Sequence, residues 1–244
     1  MNLYGLIGFP LGHSFSKKYF TQKFEKEGID NCVFDLFPIP QIEDFPALLQ
    51  QYPLLKGIAV TIPYKQTVMP FLQSFSREAI EIGAVNCIKI LPEQLIGYNT
   101  DVIGFEQSFK MLLQAHHLKA LVLGTGGSSK AVQFALKQLN IPFLLVSRRQ
   151  DAENIITYAD INKKLLEEFT IIINCTPLGM TPNVDTMPAI PFQFINASHY
   201  LYDLVYTPEE TMFLKMGRQN GAIVKNGYDM LILQAEENWK IWNS

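Results

Sequence analysis

The chain has 244 residues, of which 48% are hydrophobic and 18% charged, with a formal net charge of −3. That is enough apolar chain for one large core or two modest ones, and the mild acidity gives no general attraction to nucleic acid or anionic lipid. No apolar run approaches the roughly 20 uncharged residues of a membrane span, and the opening MNLYGLIGFP lacks a basic segment and a small-residue cleavage site. The expectation is a cytoplasmic protein with small-molecule partners, neither a nucleic-acid nor a membrane binder.

In chain order, residues 2–8 read as a strand and 14–27 as a helix, with Phe15, Tyr19, Phe20 and Phe24 on one face and Gly28 as its stop. CVFDLF (32–37) is a second strand, 42–52 a helix with an early proline, and GIAVTIP (57–63) a third strand. CIKIL and QLIGYN form a hairpin around Pro92 and Glu93. A helix over about 103–115 leads to an apolar strand, a glycine turn and a helix in ALVLGTGGSSKAVQFALKQL, followed by strands at 143–147, 170–175, 200–206 and 222–226. Helices at about 209–219 and 228–242 close the count. Strands alternating with helices at this spacing predict an α/β fold with parallel sheets covered on both faces. The expected division is a domain over 1–101 and a second over 102–227, with the helices of 228–244 returning to the first. Cys32, Cys87 and Cys175 sit singly among apolar neighbours and read as buried thiols, with no metal site.

The turn GTGGSS carries the first chemical signal. Gly124 permits a tight turn after the strand, and Gly126 and Gly127 leave room for a pyrophosphate to meet the N–H groups and dipole of a helix start. The third position of the G-x-G-x-x-G pattern is Ser129, so the turn also reads as a plain strand-to-helix connection. The next strand ends in Ser147-Arg148-Arg149, about 20 residues after the glycines, where such folds read the adenosine ribose. The second signal is Lys65, an isolated cation after the apolar run of the third strand. Its ordinary reading is a solvated side chain. At the carboxyl end of a parallel strand, however, open α/β sheets place ligands, and Ser14, Ser16, Thr61, Asn99, Thr100 and Asp101 sit at comparable breaks. An ammonium and a carboxylate, Lys65 and Asp101, suit proton transfer.

The stretches PLGHSFS, VTIPYK, IGAVN, GYNTDVIGF, LGTGGSSKA, INCTPLGM, YDLVYTPEET and GYDMLILQA together resemble shikimate dehydrogenase in order and spacing, over nearly the whole chain. The resemblance implies reduction of 3-dehydroshikimate to shikimate with NADPH in aromatic amino-acid biosynthesis, by a monomer or homodimer. It implies an N-terminal substrate domain, a Rossmann-like cofactor domain, and an active site in the groove between them. It assigns catalysis to Lys65 and Asp101, and substrate binding to these two with Ser14, Ser16, Thr61, Asn86, Tyr206 and Gln234. Cofactor contacts fall on Gly124, Thr125, Gly126, Gly127, Ser128, Ser147, Arg148, Arg149, Leu204 and Gly227. Singly, Ser14 and Ser16 also read as helix caps, Thr61 as a strand residue, and Tyr206 and Gln234 as core and surface.

His13 is a turn residue in the same motif, while His116, His117 and His199 belong to no motif. Ala59 stands where the family commonly has asparagine. Ser147-Arg148-Arg149 replaces the usual Asn-Arg-Thr, with arginine favouring the 2′-phosphate of NADP over NAD and Asp151 able to oppose it by reaching the ribose of NAD. Two alternatives stay open. One is a quinate/shikimate dehydrogenase using NAD or NADP, the other a dinucleotide-binding regulator without turnover.

Overall fold

The structure, a computed structural model, describes residues 1–12, 14–149 and 152–244. His13 and Asp151, singled out above, lie outside the described residues. The chain divides into two compact units, Met1–Thr100 with Gln234–Ser244, and Asp101–Leu233.

The first unit holds β1 (Asn2–Gly8), α1 (Phe15–Glu27), β2 (Cys32–Pro38), α2 (Phe45–Gln51), β3 (Leu55–Val60), β4 (Ser74–Phe75), α3 (Arg77–Ile82), β5 (Cys87–Leu91) and β6 (Gln94–Tyr98). Among the described residues these strands form one sheet in the order β2-β1-β3-β5-β6-β4, with β1 parallel to both β2 and β3 and the β5-β6 hairpin antiparallel. The chain therefore leaves β1 to both sides, which makes the carboxyl ends of β1 and β3 a topological switch point, the place where such sheets open a crevice.

The second unit holds α4 (Asp101–Lys110), β7 (Ala120–Leu123), α5 (Gly127–Gln138), β8 (Phe143–Ser147), β9 (Ile155–Thr157), α6 (Lys163–Glu168), β10 (Ile171–Asn174), β11 (Tyr200–Asp203), α7 (Met212–Gln219) and β12 (Ile223–Lys225). The strand order β12-β11-β10-β7-β8-β9 is parallel in every described pairing and is that of a Rossmann sheet, with its switch point between β7 and β10. ALVL, IIIN and YLYD are buried along their whole length, as continuous apolar strands covered on both faces must be. The last helix, α8 (Tyr228–Asn243), starts in the second unit and ends in the first.

Local chemistry explains the helix bounds. Ser14 accepts a hydrogen bond from the Lys17 backbone N–H at the start of α1, and Gly28 closes it in the left-handed region at φ 65°. In α8 the residues facing the first sheet are Gln234, Ala235, Asn238 and Trp242. The Trp242 indole donates to the Ile88 carbonyl (3.0 Å). It lies so close to β3 that a Cβ on Gly57 would sit 2.2 Å from the ring, so only glycine allows this approach. Tyr4, Phe20, Phe24, Phe34 and Trp239 pack around Trp242, and each such ring contributes about 1.5 to 3 kcal/mol by leaving water.

The third strand ends at Val60, not Pro63, because residues 62–68 fold into turns closed by Tyr64 N–H to Thr61 O and Val68 N–H to Tyr64 O. α4 begins at Asp101 and stops at Lys110, the chain then leaving it through tighter turns over Met111–Leu113. Two helices, α3 and α6, escaped the sequence reading although Ser76 and Asn162 cap them. Short apolar runs of six residues give too weak a period to stand out. The units divide inside α8, between Leu233 and Gln234. Of the cysteines only Cys87 is buried, Cys32 and Cys175 being half-buried. Among the described residues no helix is long and apolar enough to cross a membrane.

His117 is 3% exposed and its Nδ1 accepts the Gln114 N–H (3.0 Å). Burial, with the neighbouring His116 and His199 as lesser causes, pushes its pKa down from 6.5 to about 4. The unfolded chain therefore takes up a proton that the folded one refuses, and the stability His117 contributes at neutral pH is lost as the pH falls from 6.5 towards 4. His117→Asn, which cannot charge, should flatten the fall of melting temperature over that range. Parallel curves for the variant and wild type would remove His117 from the pH response.

Candidate active site

In the first unit, Ser14 and Ser16 follow β1, Thr61 and Lys65 follow β3, and Asn86 precedes β5. Phe9 N–H donates to Ile62 O (3.2 Å) and Thr61 N–H to Ile7 O (3.0 Å), which continues the β1–β3 pairing past the strands and brings Thr61 to the rim. Lys65 follows in the turn region. Its carbonyl accepts the Val85 N–H at 2.7 Å, and Tyr64 beside it is buried with its hydroxyl on Ile39 O (2.6 Å). The backbone under the ammonium is thus pinned on both sides. Ser14 caps α1 and Ser16 lies in its first turn, both half-buried. Capping uses the Ser14 oxygen as an acceptor and leaves its O–H proton to another partner.

Asn86 precedes β5, and its N–H and C=O bond to Tyr98 O (3.0 Å) and Val60 N–H (2.8 Å), so it is fixed between β3 and β6. Its side-chain oxygen accepts the Thr100 N–H (2.7 Å), and the chain of polar contacts continues through Thr100 and Asn238 to Gln234, all of them buried. Asn99 is buried too, donating to Ala84 O (3.0 Å). Ala59 is 5% exposed within the aromatic cluster under α8, to which Ala235 also belongs. An asparagine would bring an amide into that apolar cluster.

In the second unit a cleft of about 390 Å³ opens at the β7/β10 switch point. Gly124, Thr125, Gly126, Ser147 and Arg148 line it, with Val146, Tyr158, Cys175, Thr176, Pro177 and Leu178. Gly124 has φ 100°, a conformation that excludes ordinary side chains, and α5 starts from Gly126 as its cap. A Cβ at Gly126 or Gly127 would meet nothing within 4 Å, so the protein's own packing does not call for glycine there and the space above the helix start is open. Ser129 is buried and donates to Gly126 O (2.7 Å), closing the turn on itself where the common pattern has glycine or alanine.

Arg148 belongs to the cleft, while Arg149 is not among its described lining residues, nor are Gly127, Ser128, Leu204 and Gly227. Leu204 follows β11 and its N–H donates to Asn174 O at the end of β10 (3.0 Å), while Gly227 follows β12 and its N–H donates to Val205 O (3.2 Å). Tyr206 is exposed at 39% and Asp101 opens α4, half-buried. The sequence reading gave no role to Tyr158, Thr176, Pro177 or Leu178. The stretch INCTPLGM marks the last three without giving them a role, and nothing in the sequence marks Tyr158.

Beneath this cleft Asp203 is fully buried and accepts Thr211 Oγ1–H (2.6 Å), Asn174 Nδ2–H (2.9 Å) and Val205 N–H (3.0 Å). Asn174 in turn accepts the N–H and hydroxyl of Thr176 (3.0 and 2.6 Å). Burial pushes the Asp203 carboxyl up to about 6, and the three donors hold it from rising further. Among the described residues no group of three His, Cys, Asp or Glu could hold a metal ion.

A family model described as the shikimate dehydrogenase substrate binding domain matches residues 6–88. Over 253 aligned residues the chain is 39% identical to shikimate dehydrogenase (NADP(+)) of Clostridium beijerinckii, covering 99% of this chain and 92% of that one. The chain belongs to the shikimate dehydrogenase family. A crystal structure of a chorismate mutase/shikimate 5-dehydrogenase fusion protein from Clostridium acetobutylicum is similar at a TM-score of 0.86 and 37% identity, over 99% of this chain and 90% of that one. A crystal structure of shikimate dehydrogenase in complex with NADP+ is similar at a TM-score of 0.86 and 30% identity, over 99% of this chain and 89% of that one.

Thr211 both caps α7 and bonds Asp203. Thr211→Val should therefore cost about 2 to 4 kcal/mol, a cap plus a hydrogen bond to a buried acid. A carboxyl whose folded pKa lies above its unfolded 3.8 contributes stability below that value and loses it as the pH rises through about 6. Loss of the donor raises the folded pKa further, so urea melts should show a larger deficit at pH 8 than at pH 4. A deficit independent of pH would mean that Asp203 does not titrate as this environment requires.

Proposed function

We propose that the chain is an NADP-dependent oxidoreductase that interconverts 3-dehydroshikimate and shikimate, with the first unit holding substrate and the second holding cofactor. The observation that carries the reading is the pinned Lys65, an ammonium set on rigid backbone at the carboxyl end of a parallel strand, beside Thr61 and near the fixed amide of Asn86. The cleft of the second unit suits a dinucleotide: its glycine turn leaves the space over a helix start open, and the Arg148 guanidinium stands at the end of β8. NADPH, when bound, supplies the hydride.

The protein's own part is to bind, orient and move a proton. Lys65 donates a proton to the oxygen of the ketone as it gains negative charge, and takes it back in the reverse direction. The Asp101 carboxylate accepts a substrate hydroxyl and orients the ammonium. Ser14, Ser16, Thr61, Asn86, Tyr206 and Gln234 supply hydrogen bonds to the hydroxyls and carboxylate of a small polyol acid, where each well-placed bond separates the substrate from an analogue lacking that group. In the cofactor cleft, the backbone N–H groups at Gly126 and Gly127 receive the pyrophosphate, and Arg148 meets the 2′-phosphate or the adenine face, with Ser147, Arg149, Leu204 and Gly227 around it. Such a reaction belongs to the cytoplasm.

The direct test is purified protein with shikimate and NADP or NAD, followed by the absorbance of the reduced nicotinamide. No turnover with either cofactor would overturn the reading. Lys65→Ala should keep the melting temperature and lower kcat by about 10² to 10⁴, the usual worth of a positioned acid or base. A near-normal kcat would make the lysine a bystander. Arg148→Ser should lower kcat/KM with NADP by roughly 10- to 100-fold, as loss of one charge-assisted phosphate contact does, and leave the value with NAD nearly unchanged. If the two cofactors are affected alike, Arg148 does not read the phosphate.

A further inference from the structure

Asn238 is 1% exposed, carries no charge and lies on the face of α8 turned to the first sheet. Nothing in the proposed chemistry uses it. It nevertheless completes a buried line of four polar side chains. Asn86 Oδ1 accepts the Thr100 backbone N–H at 2.7 Å, the Thr100 hydroxyl lies 3.2 Å from that oxygen and 2.6 Å from Asn238 Oδ1, and Asn238 Nδ2 donates to Gln234 Oε1 at 3.4 Å.

Proton counting gives this line a direction. A hydroxyl has one proton, and the shorter contact takes it, so Thr100 donates to Asn238. The Asn238 amide then has its oxygen satisfied and its N–H₂ turned to Gln234. At the two ends the amide oxygens of Asn86 and Gln234 are both committed inward, each to a buried donor. Turning either amide over would place N–H₂ against N–H, a loss that a buried site does not tolerate cheaply.

We propose that Asn238, fixed by the Thr100 hydroxyl, is a positioning residue for substrate binding: it holds Gln234, as the Thr100 backbone N–H holds Asn86, so that both present N–H₂ rather than C=O, selecting a ligand that offers acceptor oxygens, as a carboxylate or hydroxyl lone pairs do. The proposal rests on the reading that Asn86 and Gln234 bind substrate. α8 thereby reaches the site through an interior contact as well as through Gln234 itself, one turn away on the same face.

The test is steady-state kinetics on Asn238→Ala, Gln234→Ala and the double variant, with thermal melts, and on the pair Thr100→Val and Thr100→Ser. Asn238→Ala should raise KM for shikimate about tenfold, the worth of roughly one hydrogen bond, with KM for NADP unchanged. It should add little once Gln234 is already alanine, because the two act through one contact. Thr100→Val should raise KM in the same way and Thr100→Ser, which keeps the hydroxyl, should not. If Gln234→Ala leaves KM for shikimate unchanged, Gln234 is not a substrate ligand, and both that assignment and this proposal fall. If Gln234→Ala raises KM but the Asn238 effect is additive to it, or KM for both substrates shifts together with the melting temperature, Asn238 serves only the fold and the proposal alone is overturned. Should Asn238→Ala fail to fold, equal KM values for Thr100→Val and Thr100→Ser overturn it and unequal ones sustain it.

Discussion

The fit of Trp242 over Gly57 is the contact on which the first unit depends. β3 is the central strand that carries Thr61 and Lys65 at its end, and the indole can lie against it only because residue 57 has no side chain. From this contact the rest of the helix follows by geometry. Residues one turn apart share a face, so a helix anchored at Trp242 turns Asn238, Ala235 and Gln234 to the same sheet. The last eleven residues of the chain thus complete a unit whose other part ends at Thr100. The aromatic cluster around Tyr4, Phe20 and Trp239 supplies the apolar area that holds this long-range closure in place.

The two units solve the problem of buried polarity in different ways. The first uses neutral groups only, in the line from Asn86 to Gln234, which costs little to bury once every oxygen has a donor. The second buries a carboxylate, Asp203, which costs more and is held by three donors at the ends of β10, β11 and α7. Each network sits just behind a switch point. Strand ends there release backbone groups that no sheet partner can satisfy, and Asn174, Asn86 and Thr176 use side chains to take over that work. The rims of both crevices are therefore stiff where loops would otherwise be mobile.

Most of the architecture was legible because it is written in long-period signals. The apolar strands ALVL, IIIN and YLYD, the glycine turn and the helix stop at Gly28 follow from local sterics that survive in any context. What stayed hidden depended on partners distant in sequence. Nothing local ties Trp242 to Gly57, or Asn238 to Thr100, since 185 and 138 positions separate them. Strand ends were overestimated at Pro63 and Tyr206 because apolar residues continue beyond the last ladder bond, and the helix after Asp101 was carried five residues too far for the same reason. Tyr158 enters the cleft at the β7/β10 switch point just after a short edge strand, β9, whose three residues carry no usable period.

The same distinction separates the kinds of residue proposed for the site. Lys65, Asp101 and the glycines of the turn are visible as residue types out of keeping with their neighbours, a cation after an apolar run or glycines at a helix start. Residues that act by holding others have no such contrast. Asn238 in EENWKIW looks like any polar residue of an amphipathic helix, and only its burial together with the direction of its hydrogen bonds sets it apart. An amide is indifferent to its own orientation until a neighbour with a single proton fixes it. In this protein that neighbour is the Thr100 hydroxyl, next in sequence to Asp101, so the chain that leaves the hairpin towards α4 also carries the group that orders the amides behind the crevice.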